Sequence, residues 1–167
     1  MLFNSEDVNL SPQDIKEDLK LPEKPNEELA EETGIHIGDG SMNIYNGCYL
    51  YSLRGHKEHD KKYYEEFIPD IYKNLYNLNV NIRIWSDVIG FQKGSKGLGT
   101  FKNKIIGLPF GKKNEVGIPE FIVKKEHFTG FLRGLFDTDG CLNFEKKSKR
   151  KTLLSSNFFI DNLEKIA

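Results

Sequence analysis

Two hydrophobic periods alternate along this chain. In HDKKYYEEFIPDIYKNLY (59–76), Tyr64, Phe67, Ile68, Ile71 and Leu75 recur at helical spacing, with Pro69 expected to kink the run. Residues 81–85 alternate instead, Ile82 and Ile84 against Asn81, Arg83 and Trp85, the period of a half-buried strand, and 88–93 follow as its partner. SMNIY (41–45) and CYLYSLR (48–54) flank Asn46-Gly47, the strongest short signal for a β-hairpin. Helices are expected at 12–20, with Ser11 as cap and Pro12 at the first position, and at about 26–38, with Asn26 as cap and Glu27 and Glu28 in the first turn. Two more are expected at 99–107 and 124–138, followed by strands at CLNFEKK and TLLSS and a last helix at 157–166. LPFGKKNEVGIPEF (108–121) reads as a loop, with Gly and Pro at both ends. The order is helix, hairpin, helix, hairpin, helix, and then it begins again.

The restart is visible in the residues themselves. GIHIGDGSMNIY (34–45) and GLFDTDGCLNFE (134–145) align one hundred positions apart: Gly34 with Gly134, Asp39 with Asp139, Gly40 with Gly140, Asn43 with Asn143. Apolar positions match as well, Ile35 with Leu135, Met42 with Leu142 and Ile44 with Phe144. Such self-similarity implies two related halves. The second copy shows its motif helix, one hairpin and the start of a helix, and on this reading is incomplete.

Each motif places small residues four apart on a helix, Gly34 with Gly38 and Gly134 with Thr138. Glycine in a helix interior costs about 1 kcal/mol relative to alanine, so the pattern points to a compensating close approach of two backbones. Gly40 and Gly140 read as ordinary C-caps, but a cap accounts for neither Gly34 nor Gly134, nor for the acid that precedes each cap. Asp39 and Asp139 fall at helix C-termini, where the macrodipole is already negative. Hydrogen bonding to a nearby turn would account for one such acid. Two at matching positions favour a shared divalent cation, and carboxylates with water suit Mg2+. The string DTDG fits neither a calcium loop, since Leu135 occupies the first ligand position, nor a kinase metal motif.

Composition narrows the partners. The chain has 167 residues and a formal net charge of −1, yet residues 1–40 carry three Lys/Arg against eleven Asp/Glu while 41–167 carry twenty-one against fourteen. A basic body behind an acidic leader suits a polyanion, or is a solvated lysine-rich surface. No apolar run reaches membrane-spanning length, no signal-peptide pattern opens the chain, and two cysteines make no disulfide or zinc set. A cytoplasmic protein with no membrane partner is expected.

LRGLFDTDG (132–140) and ETGIHIGDG (32–40) resemble the LAGLIDADG motif of homing endonucleases. The second copy is close throughout. The first departs from it at Glu32 and Ile37 but keeps Gly34, Asp39 and Gly40. The resemblance implies an α/β (α+β) fold of two αββαββα halves about a pseudo-twofold axis, with the motif helices at the interface through Gly34, Gly38, Gly134 and Thr138. On this reading residues 1–25 are an acidic extension, 26–123 the first half and 124–167 an incomplete second half. It further implies saddle-shaped sheets in the DNA major groove, Mg2+ or another divalent cation held by Asp39 and Asp139, and a basic residue near the centre, for which Lys112 and Lys113 are candidates. These lysines are equally readable as a solvated turn. Strand alternation turns Asn43, Tyr45, Asn81, Arg83 and Gln92 away from the core, side chains suited to base edges. Lys146, Lys147, Lys149, Arg150 and Lys151 would meet phosphates or form a solvated turn. The function implied is site-specific, magnesium-dependent hydrolysis of double-stranded DNA, in an intron or intein setting. The alternative is an inactive remnant, or a regulator or splicing helper that binds DNA or RNA without cutting. A complete chain would be a monomer; an incomplete one would bind and cleave DNA poorly and would tend to self-associate through its open sheet edge.

Overall fold

Ser11 closes a capping box on the first helix, α1 (Pro12–Lys16). Its hydroxyl accepts from the Asp14 N–H, and the Asp14 carboxylate accepts from the Ser11 N–H at 2.7 Å. Asn26 caps α2 (Glu27–Asp39), accepting from the Leu29 N–H at 2.7 Å. The computed structural model describes residues 2–113, 116–123, 126–144 and 151–155. In it α2 is buried from Leu29 to Ile37 and leads directly into β1 (Gly40–Tyr45). Asn46 and Gly47, both at positive φ, turn the chain into β2 (Cys48–His56), the tight turn whose twist matches the strands. A widened helical turn, Tyr63–Phe67, runs into α3 (Ile68–Tyr76). The second hairpin is β3 (Arg83–Trp85) and β4 (Val88–Gly94), followed by α4 (Lys96–Thr100) and another widened turn, Phe101–Ile106. Then come α5 (Glu120–Val123), α6 (Phe128–Asp139), β5 (Gly140–Phe144) and β6 (Lys151–Ser155).

The protein is mixed α+β. Four antiparallel strands lie in the order β1-β2-β4-β3, with Ser52 opposite Gln92 and Leu53 opposite Phe91 at the centre. A second, two-stranded sheet pairs β5 with β6, Gly140 opposite Ser155. Met42, Tyr51, Leu53, Ile89 and Phe91 form the buried inner face of the larger sheet. They share one core with Leu29 and Ile35 of α2, Ile68, Ile71 and Tyr72 of α3, and Leu98 and Phe101. Among the described residues no helix is long and apolar enough to cross a membrane.

Several boundaries differ from the sequence expectation, each for a local reason. The first helix stops at Lys16 because Asp18 turns left-handed, held by the Asn77 amide. Pro69 does not kink a continuous helix. It is the second residue of α3, and the turn before it widens so that the Ile68 N–H bonds to the Tyr63 carbonyl, which accommodates the missing N–H of proline. The helix expected at 99–107 begins at Lys96, because Ser95 caps it through the Leu98 N–H. Asn81 and Ile82 precede β3, and Ile84, although paired with Ile89, stays 53% exposed on the outermost strand. The expected helix at 157–166 lies outside the described residues.

Residues 2–25 pack against the core of the larger sheet and its helices. Phe3 sits edge-on to Phe101 and Phe121, and Leu19 enters the core. Asp14, 2% exposed, accepts from the Ser95 hydroxyl at 2.6 Å and the Gly97 N–H at 2.9 Å.

Candidate metal and nucleic-acid site

Glycine spacing sets how closely α2 and α6 approach. A Cβ on Gly34 would collide with the Phe131 carbonyl oxygen and lie 2.8 Å from the Leu135 nitrogen. One on Gly134 would collide with the Glu31 carbonyl oxygen. Gly130 lies against Glu27, Gly134 against Glu31, and Gly38 against Thr138. Contacts that ascend together in both helices mean that the helices run parallel. Arg133 of α6 donates to Glu31 and Glu27 of α2, both at 2.9 Å.

Parallel packing brings the two C-termini to one place. Asp39 ends α2 and Asp139 ends α6, and the Asp139 nitrogen is 3.5 Å from where a Gly38 Cβ would stand. Asp39 is half-buried, Asp139 exposed. The Tyr64 hydroxyl donates to Asp39 Oδ2 at 2.7 Å. Burial pushes the Asp39 carboxyl up to about 6; the Tyr64 bond opposes this, Asp60 and Asp139 raise it further, and Lys113 opposes them. Burial, reinforced by the Asp39 charge, also drives the Tyr64 hydroxyl well above its ordinary range, so that it remains a donor.

Lys113 answers the negative helix end. The loop that carries it is tied to β1 by the Gly111 N–H, which donates to the Met42 carbonyl at 2.7 Å, with Gly111 at positive φ. The Lys113 ammonium donates to the carbonyls of His36, Ile37 and Gly38 at 3.3, 2.7 and 2.7 Å. All three donors of an ammonium are thus aimed at the last carbonyls of α2. Burial lowers its pKa, while Asp139 and Asp39 pull it back up. Lys112 remains exposed in the loop.

These residues can accommodate a divalent cation. A divalent cation between the converging negative helix ends would relieve the Asp39 carboxylate, which is desolvated beside like charges. Among the described residues no three His, Cys, Asp or Glu side chains form a ready-made cluster. The protein donors would therefore be the two aspartates with water completing the shell, as Mg2+ takes it.

Behind this site lies a buried polar cluster. Glu32, at the first motif's departure from the leucine pattern, is fully buried and paired with the equally buried Lys102 at 2.5 Å. Its carboxylate also accepts from Tyr72 at 2.6 Å and Tyr76 at 2.9 Å. Tyr51 bonds to Tyr72 and, through its hydroxyl, to His36 Nδ1 at 3.3 Å. Burial, then Lys102 and Lys113, hold His36 well below its ordinary pKa and hence neutral. Lys102 packs over the rings of Tyr51 and Tyr76.

The outer face of the larger sheet carries the residues expected to meet nucleic acid. Cross-strand pairs put Ser41, Ser52 and Gln92 in one row and Asn43 and Leu50 in the next. Arg54 and Arg83 flank Gly90 in a third row, followed by His56, Val88 and Trp85. Tyr45, Arg83 and Gln92 are exposed and Asn43 is half-exposed, while Asn81 is exposed just outside the strand. None of the paired strand residues described on this face is acidic. Lys146, Lys147, Lys149 and Arg150 lie outside the described residues, and Lys151 begins β6. Arg54, Trp85 and Tyr64 were not among the site residues expected from the sequence. Alternation from Leu53 would have found Arg54; nothing local marks Tyr64 as a partner of Asp39. No protein-family model and no curated protein matches the chain.

Proposed function

We propose that this chain is a site-specific DNA endonuclease of the LAGLIDADG homing type, with the fold of that family and Mg2+ or another divalent cation as cofactor. The observation that carries the reading is the parallel, glycine-mediated contact of α2 and α6, which brings the C-terminal ends of the two helices, and with them Asp39 and Asp139, side by side. Duplex DNA would lie along the outer face of the sheet. Arg54 and Arg83 would meet phosphates or guanine edges there, and Asn43, Tyr45 and Gln92 other groove atoms. A bound Mg2+ supplies an activated water and stabilises the leaving oxygen of the phosphodiester. Asp39 and Asp139 would hold it, and both must be ionised to do so. Lys113 keeps the α2 carbonyls neutralised beside them and adds positive charge where a scissile phosphate would sit.

The test is selection of cleaved sites from a random duplex library in Mg2+, followed by binding and cleavage assays on the recovered site. Asp39→Asn and Asp139→Asn are each expected to abolish cleavage while retaining DNA binding. Cleavage that persists in both variants would remove the aspartates from the mechanism. Specific binding by the parent chain without any cutting would support a non-cleaving DNA-binding protein instead.

A further inference from the structure

Two adjacent tyrosines sit in the widened turn before α3, and only one reaches the acid pair. Tyr64 is fully buried and donates to Asp39 Oδ2 at 2.7 Å. The Tyr63 hydroxyl is buried with no hydrogen-bond partner among the described residues. The two rings meet edge to face at 6.2 Å. The place of Tyr64 is fixed from the other side by Gly55 of β2, where a Cβ would lie 2.5 Å from the Tyr64 ring. Asp39 Oδ1 accepts from no described residue, and Asp139 has no hydrogen-bond donor among them.

We propose that Tyr64 is a positioning residue for Asp39: by holding Oδ2 it fixes the rotation of the carboxylate and leaves Oδ1 as the oxygen available to the divalent cation. The inference rests on the metal-site reading above. A phenol suits this task because it orients the carboxylate without neutralising it. A lysine or arginine in its place would compete with the cation for the same charge. The two aspartates therefore enter the site unequally, Asp39 held and Asp139 adaptable.

The test uses Mn2+ as probe, its free concentration followed by electron paramagnetic resonance, on the full chain. Tyr64→Phe keeps the ring and the fold and is expected to weaken Mn2+ binding about tenfold or more, the usual effect of losing an outer-shell partner, with a lower urea midpoint at pH 8, where the ionised carboxylate has lost its donor. Tyr63→Phe is the control and should bind as the parent does. Parent-like Mn2+ affinity in Tyr64→Phe, alongside lost affinity in Asp39→Asn, would overturn the positioning role and leave the metal site standing. Equal weakening in Tyr63→Phe and Tyr64→Phe would also overturn it, as a packing effect. If neither aspartate variant alters Mn2+ binding, the metal-site reading fails. The hydroxyl proton of Tyr64, observed by NMR in the metal-free protein, then decides the geometry: slow exchange is expected, and free exchange with water overturns the proposal.

Discussion

Asp39 binds a proton more tightly than an unfolded aspartate does, and this has a thermodynamic consequence independent of catalysis. Its folded pKa is raised to about 6 from 3.8, chiefly by burial. Between about pH 4 and 6 the folded chain therefore holds a proton that the unfolded chain has released, so stability falls as pH rises through that window. Above it the penalty is constant, at most about 3 kcal/mol for a shift of this size. Asp39→Asn cannot ionise, yet its amide oxygen still accepts from Tyr64. The variant should be more stable than the parent at pH 8 and no different at pH 4, as measured by urea unfolding at both. An equal difference at the two pH values would show that the carboxylate is not strained by its surroundings. A bound cation would offset the same penalty, since it favours the ionised, folded form.

At the scale of elements, the hairpins and motif helices were legible because their signals are local: Asn46-Gly47 for the turn, Asn26 for the cap. The alternation over 81–85 found β3 but not its exposure, because the half-burial expected from Ile82 and Ile84 is lost on the outermost strand, where Ile84 stays exposed. Spaced glycines indicated a close helix contact, and here they set one. Gly34→Ala should therefore destabilise the chain by about 1–3 kcal/mol, the range for overpacking, because the new methyl would meet backbone atoms of Phe131 and Leu135. Chemical denaturation reads this directly; a neutral effect would mean that the helices can separate without cost. The buried Glu32–Lys102 pair was not legible. Glu32 stands where the motif pattern has leucine, and its partner is seventy residues away in sequence. Only the fold shows that Tyr51, Tyr72, Tyr76 and Lys102 all donate to it. Removing one partner of such a pair leaves a buried unpaired charge, so this departure from the motif depends on residues in α3 and in the turn after α4. The widened turns escaped for a similar reason, since they place Tyr64 and Lys102 inward only in the context of what those side chains reach.

For the whole molecule, two arginines mark the outer face of the larger sheet. Arg54 and Arg83 face each other across Gly90, among paired strand residues none of which is acidic. If DNA lies there, each arginine that contacts a phosphate releases condensed counterions. Arg54→Ala and Arg83→Ala should then each reduce the slope of log affinity against log salt by about 1. Fluorescence anisotropy of a labelled duplex over a salt series measures it, and unchanged slopes in both would move DNA off this face.

The acidic leader has a different fate. Its composition reads as an acidic extension, but Asp14 is the carboxylate on which the Ser95 hydroxyl and the Gly97 N–H both converge, and Phe3 and Leu19 are set against core residues. If the leader peeled away, it would carry off the acceptor at the start of α4 and uncover apolar side chains in the same event. Residues 2–25 therefore share the cooperative unit of the core they pack on. A protease would meet them mostly in molecules that have opened more widely, and a version of the chain begun at Asn26 would lack part of its own interior.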